Sequence, residues 1–152
     1  MSGVRAWVEA ELEGRGTIGP RDDAEPADAF REVVGRLPWL AADVRSALAE
    51  ALIERFDRAD ANGACPEADL VPLSMAARAL EWFPVPGVYL WLVRGLAVDW
   101  ARASVPWAAP HPLRQSFARA LIALGTLPEE VLSAIRSDPE LRGLLPSTVP
   151  AR

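Results

Sequence analysis

Val88-Tyr89-Leu90-Trp91-Leu92-Val93-Arg94-Gly95-Leu96-Ala97-Val98-Asp99-Trp100 is the stretch on which the fold class turns. Its first six residues are all apolar or aromatic and sit between Gly87 and the Arg94-Gly95 pair. Such a run fits a buried strand or a buried helix equally well. Two features favour helix. The chain contains no second strand-like run to pair with it, and Tyr89, Val93, Leu96 and Trp100 keep one helical stripe going past Gly95. The reading is therefore a helix near residues 87 to 103, apolar almost all round, which belongs at the centre of a domain.

Working outward, the same period recurs on both sides. Val4, Trp7, Val8 and Leu12 form a first amphipathic helix that stops at Gly14 and Gly16. Residues 15–26 read as a loop or linker, rich in Gly, Asp and Pro. Phe30, Val33, Val34 and Leu37 make a second helix, closed by Pro38. Trp39 and Leu40 lead into a third, with Val44, Leu48, Leu52 and Phe56 on one stripe, Glu50 and Glu54 on its flank, and an Asn62-Gly63 cap. Pro72, Pro86 and Pro112 read as helix starts, because a first turn has no use for the N–H that proline lacks. Leu113, Phe117, Leu121 and Leu124 give a further stripe, capped at Gly125. Thr126 and Glu129 have the spacing of a capping box ahead of Val131, Leu132 and Ile135. Asp138-Pro139 opens a last turn, and residues 146–152 read as a flexible tail.

The expected fold is all-α: a single domain over residues 1–152, built as an irregular bundle of six to eight helices around the 87–103 helix. A short HEAT-like array of helical hairpins is the alternative, since Ala77-Arg78-Ala79-Leu80 recurs as Ala118-Arg119-Ala120-Leu121. At 152 residues the chain is long enough to bury roughly 70% of its unfolded surface without disulfides.

Composition removes many reaction classes. All 16 basic residues are arginine, so no Schiff-base lysine, pyridoxal-phosphate anchor or Walker-A lysine exists. One histidine and one cysteine cannot build a Cys/His zinc cluster or an H-E-x-x-H site. Phe56-Asp57-Arg58-Ala59-Asp60-Ala61-Asn62-Gly63 resembles the entering helix and first loop half of an EF-hand, with Asp60 and Asn62 at the first and third loop positions. The likeness ends there, because Ala64, Cys65, Pro66 and Val71 occupy the fifth, sixth, seventh and twelfth positions, where calcium needs oxygens, a glycine and a closing carboxylate. A helix cap followed by a polar loop is the reading, with no metal and no cofactor expected.

Charge is uneven: residues 1–70 hold 15 acidic and 8 basic side chains, residues 71–152 only 6 and 8. Neither half is basic enough for a nucleic-acid footprint. The longest apolar run falls far short of the roughly 18 to 20 residues of a membrane span. Together with the unpaired Cys65 and an N-terminus lacking an apolar core, this reads as a cytoplasmic chain.

What remains is aromatic. Trp82, Phe83, Tyr89, Trp91, Trp100 and Trp107 are six of the eleven aromatic residues. The expected function is non-enzymatic: a protein-interaction module, such as an adaptor, immunity-type or accessory subunit, that binds another protein or itself through Trp82, Phe83, Tyr89, Trp107 and Arg94. A small apolar-ligand site lined by Trp91, Trp100 and Phe117 is the alternative, and an unrecognised enzyme the third reading. His111 between Pro110 and Pro112 reads as an exposed turn residue, Cys65 as an ordinary free thiol, and Arg94 and Asp99 as charges needing partners on other helices.

Overall fold

A computed structural model describes residues 2–13, 26–36, 41–103 and 111–145. Among them lie seven α-helices and no strand: α1 (Ser2–Leu12), α2 (Pro26–Gly35), α3 (Ala41–Asn62), α4 (Glu67–Ala79), α5 (Tyr89–Gly95), α6 (Leu113–Ala123) and α7 (Glu129–Ser137). Three short 3-10 turns accompany them, at Pro86–Val88, Asp99–Arg102 and Arg142–Leu144. The chain is an all-helical, multi-helix bundle. The expected linker at 15–26, apart from Pro26, lies outside the described residues, as do the 146–152 tail, Leu37, Trp39, Leu40 and Trp107.

The helix at the centre is α4, not the 87–103 stretch. It packs on α1, α2, α3 and α6, and buries Pro72, Leu73, Ser74, Met75, Ala76, Ala77 and Ala79. Its small side chains let four neighbours approach one helix. With α1–α2, α3–α4 and α5–α6 taken as hairpins, the contacts of α4 run within its own hairpin and to the hairpins on either side, as stacking in series also requires. The stripe Val44, Leu48, Leu52, Phe56 of α3 is fully buried, and its end is capped by Gly63 in the left-handed region at φ 71°.

The stretch around Trp91 is helical but broken. A 3-10 turn leads into the seven residues of α5, and Leu96 to Val98 separate α5 from the next 3-10 turn. At Gly95, the last residue of α5, an added Cβ would lie 2.1 Å from Phe117 Cδ2. Here the backbone of α5 rests directly on a ring of α6. With α5 on the outside of α6, Leu90 is 56% exposed and Tyr89, Trp91 and Val93 are half-buried.

Two expected helix starts also move. Pro72 lies inside α4, which begins at Glu67 after Pro66, with acidic Glu67 and Asp69 in the first turn favouring the positive end of the helix dipole. Helix α7 starts at Glu129 after Pro128, with no side-chain cap, so the Thr126–Glu129 box is not formed. Proline's fixed φ already sets the chain direction that the box would have supplied.

Candidate functional site

Tyr89 and Val93 of α5, with Leu96 and Ala97 of the turn after it, face the segment from Leu124 into α7. Between the two lies a seam of three hollows. The first, about 340 Å³, is lined by Pro86, Tyr89, Leu124, Thr126, Leu127 and Pro128. The second, about 310 Å³, is mainly apolar, with Val93, Leu96 and Ala97 on one wall and Val131, Ala134 and Leu141 on the other. The third continues from Ala134 and Asp138 past Arg102, Pro139 and Glu140. Over Tyr89 to Gly95, the length of α5, the rise is about 9 Å.

The far end of the seam is fixed by Arg114 of α6. Its buried guanidinium pairs with Asp138 and with Glu140 at 2.8 Å, and its Nε donates to the Leu96 carbonyl at 2.9 Å. This one side chain ties the end of α5 to the end of α7. Burial opposes ionisation of Asp138, but the Glu140 backbone N–H and Arg114 outweigh it and hold the carboxyl below its ordinary range.

Of the sequence-derived partner residues, Tyr89 lines the seam. Trp82 is on another part of the surface, with the guanidiniums of Arg31 and Arg78 at 5.2 and 5.4 Å from its ring centre. Phe83 is 9% exposed, with Arg45 over its ring. Arg94 pairs with Asp60 of α3 and lies 5.4 Å from the Phe56 ring centre, so its partner is on another helix as its position in the sequence required. Asp57 accepts from Trp91 Nε1 at 2.9 Å, so Asp57 and Asp60 of the EF-hand-like segment both serve side chains of α5. Among the described residues no three His, Cys, Asp or Glu side chains gather as metal ligands.

Two of the three residues expected to line a ligand pocket, Trp100 and Phe117, stand against a common ring, and the third is held elsewhere on α3. Phe56 stands against both Trp100 and Phe117, with ring centres at 5.0 and 6.0 Å, while Trp91 bonds to the α3 side chain of Asp57. His111 is half-buried rather than exposed. Burial, then the charges of Arg119 and Arg78, push its pKa down to about 4. Burial and Asp69 push the Cys65 thiol up to about 11, which leaves it unreactive at neutral pH.

The α7 wall was not singled out by sequence reasoning. An amphipathic pattern marks Val131 and Leu141 as apolar, but not that α5 and α7 leave a gap between them. No family model, curated protein or solved structure matches the chain.

Proposed function

We propose that this chain is a non-enzymatic protein-interaction module that seats a short, apolar-anchored segment of a partner protein in the α5–α7 seam. The observation that supports it most is the middle hollow of the seam, whose walls of Val93, Leu96 and Ala97 against Val131, Ala134 and Leu141 are mainly apolar. A groove of this kind takes an amphipathic helix whose anchors recur at three and four residues. Its length favours a segment over a folded domain, because a stable domain-scale interface covers roughly 800 Å² on each partner. Arg102 and Glu130 at the rim add a charge of each sign, which sets the direction of the bound segment.

The test uses Ala97→Arg and Ala134→Arg, two exposed seam positions whose substitution leaves the core intact. Affinity capture from the native host is expected to recover a partner with the parent protein and to lose it with either variant, at unchanged Tm. No capture by the parent, or capture indifferent to both variants, overturns the reading.

A second reading rests on the middle hollow, whose volume of about 310 Å³ falls at the lower end of small-ligand sites. In that case native mass spectrometry finds a co-purifying small molecule that the Ala134→Arg protein lacks.

A further inference from the structure

Trp82 and Phe83 follow α4, and arginines from three helices gather on their rings. Arg31 of α2 lies 5.2 Å from the Trp82 ring centre, Arg78 of α4 lies 5.4 Å from the same centre, and Arg45 of α3 lies 6.0 Å from the centre of the Phe83 ring. Arg78 is half-buried and faces Glu81 at 3.9 Å, so it belongs to the packing at the end of α4. Arg31 and Arg45 differ. Both are exposed, and among the described residues neither makes an ion pair.

The carboxylates nearest to them in sequence have other places. Asp28 sits in the first turn of α2, at the positive end of its dipole, Glu32 faces Arg36 at 3.4 Å, and Asp43 lines a hollow with Arg5 of α1. Stacking on a ring takes up the flat face of a guanidinium and leaves its N–H edge open to a second partner. It also holds in place a long side chain that otherwise loses much rotamer freedom on binding. Arg31 and Arg45, set on the rings of two consecutive residues, are thus placed in advance for carboxylates, whose two oxygens match the guanidinium fork.

We propose that this basic and aromatic patch receives a short acidic segment of a partner protein, with carboxylates on Arg31 and Arg45 and an apolar side chain against Trp82. Two guanidiniums are too few for a nucleic-acid track, in which affinity grows with each phosphate neutralised, and the net charge of -5 repels a long polyanion. A segment with a few carboxylates meets the arginines without that charge load. Neither Arg31, Arg45 nor Trp82 lines a hollow of the seam, so the patch stands or falls independently of it.

Hexaglutamate is the probe, followed by NMR at the Trp82 indole N–H, whose resonance is assigned from Trp82→Phe. Saturable shifts are expected with hexaglutamate and none with hexalysine. Arg31→Gln combined with Arg45→Gln is expected to weaken binding about tenfold, as the loss of two exposed charge pairs requires. Arg136→Gln combined with Arg142→Gln removes the same charge from exposed positions elsewhere and leaves the affinity nearly unchanged. All four arginines are exposed, so both double variants keep the Tm of the parent. No shift with hexaglutamate, or equal losses in the two double variants, overturns the proposal. A long oligothymidylate that binds more tightly than hexaglutamate, or inorganic phosphate that matches it at equal concentration, also overturns it and gives the patch to nucleic acid or to free anions instead.

Discussion

At Gly95 two rules of residue chemistry give opposite signs. Helix propensity alone makes Gly95→Ala, at the end of α5, stabilising by up to about 1 kcal/mol. The geometry reverses it, since a methyl group there would lie 2.1, 2.5 and 2.8 Å from three atoms of the Phe117 ring. That ring cannot move aside, being fully buried against Phe56. Overpacking of this kind costs about 1 to 3 kcal/mol. Urea denaturation of Gly95→Ala is therefore expected to show a loss of about 2 kcal/mol. Gly143, where an added methyl would meet nothing within 4 Å, is the control, and Gly143→Ala is expected to leave the midpoint unchanged. A stabilised Gly95→Ala protein would mean that α5 does not rest on Phe117 at all.

Among the elements, α1 tests how charge and packing share the work of docking. Val8 and Leu12 are buried, and Trp7 stacks on Phe30 of α2 at 5.3 Å. Around them Arg5 of α1 reaches Glu50 and Glu54 of α3, each at 2.5 Å, while Arg55 of α3 reaches back to Glu9 and Glu13 at 2.5 and 3.4 Å. The Arg5 links end on exposed carboxylates, whereas the Arg55 side chain is only 8% exposed. Glu50→Gln is thus expected to cost less than about 1 kcal/mol. Arg55→Leu leaves Glu9 half-buried with one partner fewer, and is expected to cost about 2 kcal/mol. Hydrogen exchange should show the α1 amides losing protection first; equal effects of the two variants would contradict this division. The local period of α1 and α3 was legible in the sequence because each stripe is set by its own helix. The close approach at Gly95 was not, because it depends on a ring 22 positions further along the chain. Pro72 misled for a related reason: it fits a first turn locally, but Pro66, Glu67 and Asp69 had already started α4, and burial of Pro72 offsets the missing hydrogen bond. Within the seam Tyr89 was readable as a partner-binding aromatic candidate, whereas Ala97 and Ala134 matter through the gap left between two segments, which no single-helix pattern encodes.

For the whole molecule, acid acts through two sets of groups in separate windows. His111 titrates near 4 in the folded chain against an ordinary value of 6.5. Between those values the unfolded chain holds the extra proton, so stability falls as pH drops from 6.5 to 4. Allowing for solvent around a half-buried ring, the loss is about 1 kcal/mol. Glu9 and Asp138 shift in the same direction as His111, to a similar end. Burial opposes the charge of Glu9, but hydrogen bonds from Arg55 and Arg5 prevail and its pKa is lowered; Asp138 is lowered likewise at the far end of the seam. Their stabilisation is complete above the ordinary carboxyl range and is lost as pH falls through the lowered values. The urea midpoint is therefore expected to be level above pH 6.5, to decline gently to about 4, and to fall more steeply below it. His111→Asn should flatten the first decline and leave the second, while Asp138→Asn should lessen the second and leave the first. A first decline that survives in His111→Asn would show that burial and the charges of Arg119 and Arg78 do not hold the folded-state histidine neutral in this range.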